Sequence, residues 1–256
     1  MDELRRQNYL RMMGVTQWRL RQSDSPEAIQ QAVAEAEADV SLVERPAPAG
    51  DLIEPTVPVT TAVDQSDWLT LREQVKTCRQ CGLRAGCSQT VFGVGNQQAD
   101  MLVIGEAPGA DEDRQGEPFV GRAGQLLNAM LLAMGFKREA VFIANIVKCR
   151  PPDNRDPAAE EALACQDYLL RQIVLIQPKL ILSVGRISAQ NLLQTDIAVG
   201  KLRGRVHAFG ETNIPLVVTY HPAYLLRSPE QKSKAWQDLQ LALSVLGPVS
   251  RDQGQA

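Results

Sequence analysis

Met101-Leu-Val-Ile-Gly-Glu-Ala-Pro-Gly-Ala-Asp-Glu-Asp113 is the stretch that decides the fold. Four apolar residues run straight into a glycine-rich acidic loop. A strand buried on both faces has that unbroken apolar character, and strands of parallel sheets end in such loops. The same grammar recurs downstream, and the pattern predicts further strands over 141–147, 179–184 and 216–219. Helices are expected between them over 121–134, over 156–176 with Pro157 at the first helical position, and from Arg186 onward. A last helix covers 230–246. Strand alternating with helix specifies an α/β, three-layer αβα fold with a central four-stranded parallel sheet. Ligands of such sheets bind at the carboxyl ends of the strands. Three segments stand there: Gly105 to Asp113, Asn145 to Cys149, and His221 to Arg227.

Upstream of this core, residues 67–77 suit a helix with Ser66 as its N-cap. Residues 41–66 carry Pro46, Pro48, Pro55 and Pro58 among Val, Thr and Ala, which is linker composition. Residues 1–40 read as a helical peptide and 248–256 as a disordered tail. The domain itself is expected over 67–247, preceded by a largely flexible extension. No apolar run is long enough to span a membrane, and the charged first residues lack the apolar region of a secretion signal. A cytoplasmic location is therefore expected. The net charge of −3 is unevenly spread: residues 1–66 hold 6 basic and 11 acidic side chains, and the remainder 21 and 19. Basic residues gather near the strand-end segments, as Lys148, Arg150 and Arg155, then Lys201, Arg203 and Arg205. Such clusters can meet phosphates, and equally can be an ordinary mixed surface.

The polar residues at the strand ends are chemically distinctive. Glu106, Asp111, Glu112 and Asp113 crowd negative charge, which repels a phosphate but suits holding a water or a developing cation. A phosphate-binding loop would need Gly-Lys-Ser/Thr, which is absent. The plainer alternative is an acidic turn at a helix N-terminus. Asn145 interrupts an apolar strand, and a buried amide needs partners. It offers a donor and an acceptor to the edge of a flat base, or serves as a satisfied structural Asn. His221 follows a strand and precedes Pro222, so its backbone is extended. Its ring suits a general acid, a neutral hydrogen-bond donor or a core position. Phe119 stands just after the acidic loop, where an aromatic ring can stack on a planar ligand or fill a core.

Five cysteines in a reducing compartment argue for metal chemistry over disulfides. Cys78 and Cys81 form a C-x2-C pair, while Cys149 and Cys165 are widely spaced. Four such thiols suit a 4Fe–4S cluster or a structural zinc. The wide second spacing leans toward a cluster without deciding. Cys87 is left as a free thiol that could compete with Cys81.

Taken in order, Cys78-x2-Cys81, Gly105-Glu-Ala-Pro-Gly109, Gly116-Glu-Pro-Phe-Val-Gly-Arg-Ala-Gly-Gln-Leu-Leu127, Asn145-Ile-Val-Lys-Cys-Arg-Pro-Pro152, Cys165 and His221-Pro-Ala-Tyr-Leu-Leu-Arg227 resemble the family-4, iron–sulfur uracil-DNA glycosylases. The resemblance covers about residues 68–246. It implies removal of flipped-out uracil from DNA. Phe119 would stack on the base and Asn145 would read its edge, with Gly105, Ala107 and Gly109 lining the pocket. His221 would donate to uracil O2. Glu112 is the first choice for holding the attacking water or stabilising the sugar cation, and Glu106 the second. A related family places an aspartate where this chain has Ala107. Tyr224, Leu225 and Leu226 would fill the gap left by the base, and Arg227 would hold phosphate. Cys78, Cys81, Cys149 and Cys165 would ligate a 4Fe–4S cluster. The Arg-rich insert of the uracil-crosslinking relatives is missing after Asn145, so turnover is expected. A non-catalytic iron–sulfur adaptor bound to DNA is the alternative. Separately, Tyr9-Leu-Arg-Met-Met-Gly-Val-Thr-Gln-Trp-Arg-Leu20 resembles the clamp-loader psi peptide, which implies a chi-subunit partner through Met12, Val15, Trp18 and Leu20. A monomer is expected.

Overall fold

A computed structural model of the chain describes Val63 and residues 65–247. The expected peptide over 1–40, the chi-docking segment, nearly all of the linker and the tail lie outside the described residues.

The apolar stretch at 101 forms β2 (Met101–Gly105), every residue of which is buried. Three more strands lie parallel to it: β3 (Phe142–Asn145), β4 (Leu180–Val184) and β6 (Ile214–Thr219). The register aligns Gly105 with Asn145 and Val184 with Thr219, so the strand ends come level at one edge of the molecule. Among the described residues the sheet has six strands rather than four, in the order β1-β3-β2-β4-β6-β5. The additional edge strands, β1 (Val94–Gly95) and β5 (Val206–Phe209), are antiparallel. Both escape a sequence pattern for physical reasons. β1 is two residues long and ends on Gly95, whose φ is +124°. β5 is mostly solvent-facing and holds no apolar run.

Successive side chains of a strand face opposite sides of the sheet, and the core divides accordingly. Leu102, Ile104, Phe142, Ala144, Ile181 and Val218 point to one layer. Helices α1 (Trp68–Thr77), α5 (Ala159–Ile176) and α6 (Arg186–Leu193) contribute to that layer through Leu71, Val75, Leu169, Ile173 and Leu192. Met101, Val103, Ile143, Leu182 and Val217 point to the other. Helices α4 (Arg122–Met134), α8 (Pro222–Arg227) and α9 (Lys232–Leu246) lie there, with Leu127, Met130, Leu225, Trp236 and Leu239. The short helices α2 (Leu83–Gly86), α3 (Ala110–Gln115) and α7 (Val199–Leu202) lie in the connections.

Two helix starts differ from expectation. Asp67, not Ser66, caps α1, its carboxylate accepting from the Thr70 N–H at 2.8 Å. The Ser66 hydroxyl is instead turned to Gln74. Helix α5 begins at Ala159, not at Asp156. Glu161 accepts from the Ala158 N–H and is held by Arg155, while Asp156 pairs with Arg186. Residues 156–158 are thereby drawn toward the strand ends instead of into the helix.

Candidate active site

A cleft of about 650 Å³ opens at the carboxyl ends of the strands. Its walls include Glu106, Ala107, Gly109, Glu112, Phe119, Asn145, His221, Tyr224 and Arg227, so most of the expected site residues converge on one space. They come from chain segments more than a hundred residues apart, brought together by the parallel register.

At the floor, Gly105 ends β2 beside Asn145 at the end of β3. A Cβ on Gly105 would fall 2.5 Å from Asn145 Oδ1 and 2.6 Å from Phe119 Cζ, so glycine lets amide and ring approach. Asn145 is only 2% exposed, and its Oδ1 is buried without a hydrogen-bond partner. An unpaired buried acceptor at the floor of a cleft is a vacancy for a donor from a ligand. Phe119 has φ +54°, a left-handed conformation that costs an aromatic residue energy. The surroundings over-determine it. Arg138 donates to the carbonyls of Pro118 and Phe119, and Glu112 Oε1 accepts from the N–H groups of Val120 and Gly121. The Phe119 ring centroid lies 5.6 Å from that of His221 with the planes tilted by 31°, leaving the ring to flank a planar ligand.

The acidic crowd is less crowded than its sequence implies, because α3 fans it out. Asp113 turns away to accept from the N–H groups of Ser88 and Gln89, and Asp111 pairs with Arg114 in solvent. Glu112 faces the cleft, but Oε2 also accepts from the Gly109 N–H. Its two oxygens therefore take three backbone donors, a brace that fixes the position of its negative charge. Glu106 is the freer carboxyl. Burial raises its pKa to about 7, helped by the negative charge and hydrogen bond of Asp156, while Arg186 acts in the opposite sense. Asp156 and Arg186 also line the cleft. Sequence reading missed this pair because Asp156 looked like a helix start.

His221 caps α8, its Nδ1 accepting from the Ala223 N–H at 3.1 Å. Burial, with the Arg227 charge second, lowers its pKa to about 4, so the ring is neutral near pH 7. A neutral imidazole whose Nδ1 accepts must carry its proton on Nε2. Tyr224 and Leu226 are exposed by 36% and 38% on α8. Leu225 corrects the sequence expectation: it is fully buried in the core against α4 and α9, so it cannot enter a DNA helix. Helical geometry explains the split, since neighbours along a helix point about 100° apart.

Cys78, Cys81, Cys149 and Cys165 line a second pocket, walled by Val75, Leu83, Val147 and Tyr168. Burial pushes the Cys149 thiol up, with a hydrogen bond to Cys87 adding to it, and pushes Cys165 up to about 11. Cys87, expected as a free thiol that could compete with Cys81, thus lies against Cys149. Among the described residues no group of three or more His, Cys, Asp or Glu is drawn together as a single ion would require. Zinc thiolates converge on one point with bonds of about 2.3 Å. The four thiols that line this one pocket are a donor set that could ligate either a 4Fe–4S cluster or a zinc ion. Sequence reading also missed Arg138, which braces the backbone carbonyls of Pro118 and Phe119, and it placed Lys148 among bases that could meet phosphate, whereas Lys148 is buried between Asn145 and the thiols.

Such a site, on a mostly parallel sheet flanked by helices, belongs to an α/β protein whose strand-end cleft has the shape and polar groups to suit a planar heterocycle. Residues 92–240 match the uracil DNA glycosylase superfamily. A type-4 uracil-DNA glycosylase of Archaeoglobus fulgidus is 42% identical over 171 residues, spanning 64% of this chain and 86% of the relative. Similar enzymes of Pyrobaculum aerophilum and Thermotoga maritima are each 40% identical over 179 residues, covering 68% of this chain and 91% and 92% of theirs. The chain belongs to the uracil-DNA glycosylase superfamily, in its type-4 family. Among the described residues no helix is long and apolar enough to cross a membrane.

Proposed function

We propose that this protein excises uracil from DNA by hydrolysing the N-glycosidic bond. One observation carries the reading: the buried, unpartnered Oδ1 of Asn145 at the floor of the cleft. Uracil presents N3–H to that oxygen and O4 to the amide N–H. Cytosine presents an acceptor and a donor instead and would leave buried groups unmatched, which discriminates strongly. Phe119 flanks the base after it leaves the stack. As the bond from N1 to the sugar breaks, its electron pair passes to the base, and the Nε2–H of neutral His221 donates to the growing charge on O2. The sugar becomes cationic. Glu112, braced by three N–H groups, sets a fixed negative charge beside it. Glu106 accepts a proton from the water that attacks the sugar carbon, a base role for which a pKa of about 7 is well matched. Tyr224 and Leu226 fill the space vacated by uracil, and Arg227 meets phosphate.

Cys78, Cys81, Cys149 and Cys165 would hold a 4Fe–4S cluster. When bound, it supplies iron–thiolate cross-links between the segment before α2, the loop after β3, and α5. That loop runs from Cys149 to Asp156 and ends in the cleft. A reducing, cytoplasmic setting and a monomeric state suit five free thiols and a single complete site. The segment Tyr9 to Leu20 is read from sequence alone as a docking peptide for a clamp-loader chi subunit, which a pull-down with and without residues 1–22 tests.

The central test incubates purified protein with uracil-containing oligonucleotides and cleaves the abasic sites with alkali. Uracil-dependent strand cleavage that falls about 10²–10⁴-fold in Asn145→Ala and His221→Ala is expected. A folded protein that binds DNA and leaves uracil in place would instead be an adaptor.

A further inference from the structure

Among the described residues, Lys148 is the one buried ammonium, and the catalytic reading leaves it unused. It is 2% exposed and ranks among the largest fully buried side chains. Its Nζ donates to the Asn145 carbonyl at 3.0 Å and to Gln172 Oε1 at 2.7 Å. Both acceptors are neutral. Gln172 is itself wholly buried, and its amide is committed to the Phe92 carbonyl at 2.9 Å. Among the described residues no carboxylate pairs with Lys148. A buried cation without an anion is costly, since carbonyl dipoles replace only part of its hydration.

The thiols mark where the anion belongs. Lys148 lines the pocket formed by Cys78, Cys81, Cys149 and Cys165. Its backbone N–H donates to the Cys165 sulfur, and its ammonium faces the same sulfur electrostatically. A cluster ligated by four thiolates carries net negative charge, because the thiolates outweigh the iron–sulfide core. We propose that Lys148 is the internal counter-cation of the cluster and the strut that joins it to the base-reading strand. The inference rests on the cluster reading given above. One residue thereby borders both centres: its side chain is hydrogen-bonded to the Asn145 carbonyl and its backbone N–H to Cys165. Its charge offsets the thiolates, and its hydrogen bond fixes the carbonyl of the residue that reads uracil. A positive charge at this position makes it easier to add an electron to the cluster, and its attraction for the anionic cluster slows loss of iron.

The experiment compares anaerobically purified holoprotein with Lys148→Gln, Lys148→Met and Lys148→Arg. Iron content and visible charge-transfer absorbance of the wild type decide the cluster reading by themselves; iron-free wild-type protein would sink both. With iron present, the two uncharged variants should release it to a chelator about tenfold faster or more, as loss of an outer partner of a metal site does. Their clusters should also show a more negative midpoint potential. Lys148→Arg, which keeps the charge, should stay near wild type. Wild-type potential and iron retention in both uncharged variants would overturn the proposal, as would equal loss in all three, which would mark a packing role only. If neither uncharged variant folds by circular dichroism, Gln172→Leu decides. It removes a neutral acceptor and leaves the charge, so iron should be retained and the potential should not fall. Faster iron release or a lower potential there would refute the assignment.

Discussion

Replacing Glu106 by Gln tests the mechanism most directly, because the variant keeps shape and removes one proton acceptor. With a pKa of about 7, Glu106 is about one-tenth ionised at pH 6 and about nine-tenths at pH 8. If the ionised form accepts the proton of water, single-turnover excision by the wild type should rise roughly tenfold between those values. His221 does not blur this limb, since its ring charges only near pH 4. In Glu106→Gln the limb should vanish, and the plateau rate should fall about 10²–10⁴-fold, or about 3–5 kcal/mol of barrier. Asp156→Asn, which removes the neighbouring negative charge, should move the limb to lower pH and keep most of the plateau. Stability runs the other way. A carboxyl whose folded pKa is raised favours the fold at low pH and loses that contribution as pH rises through 7. The Gln variant should therefore melt no lower than wild type at pH 8, separating lost chemistry from lost fold. The assay follows uracil release from a single-stranded oligonucleotide between pH 5 and 9. A flat wild-type profile between pH 6 and 8 would refute the reasoning, and so would a limb that survives in Glu106→Gln. The second result would return the base role to Glu112.

Gly105→Ala places a Cβ 2.5 Å from Asn145 Oδ1 and 2.6 Å from the Phe119 ring, so both must shift. Excision should fall at least about 10²-fold, as for a misplacement of ~1 Å, while far-ultraviolet circular dichroism stays native; an unimpaired rate would show that the floor tolerates a methyl. Leu225→Ala should cost about 2–5 kcal/mol in a denaturant melt, because Leu225 is fully buried in the core. Leu226→Ala should change stability by less than about 0.5 kcal/mol and slow excision from duplex more than from single strands, and the reverse ranking would place the wedge elsewhere.

The four central strands were legible because burial on both faces demands apolar runs such as Met101 to Ile104, and such runs survive in any context. The candidate site residues stood out for the opposite reason. Asn145 and His221 are polar where the pattern asks for apolar residues, and that mismatch is visible in one dimension. The edge strands were not legible, since β1 is two residues and β5 is held by pairing with β6 rather than by its own composition. Leu225 and Leu226 look alike in sequence, and only their different directions on α8 separate core from exposed surface. The roles of the two carboxylates were equally closed to sequence. Glu112 is spent on three backbone N–H groups, and Glu106 owes its character to Asp156, fifty residues away.

By itself, the sequence determined which side chains exist to do chemistry, the alternation of strand and helix, and the order of motifs that marks the family. Those are properties of composition and local periodicity, which neighbouring residues impose on each other. The tertiary structure alone decided which carboxyl is spent on backbone donors, which nitrogen of His221 holds its proton, and that Lys148 stands between the thiols and Asn145. Each of these depends on desolvation and on partners that only the folded chain brings into reach.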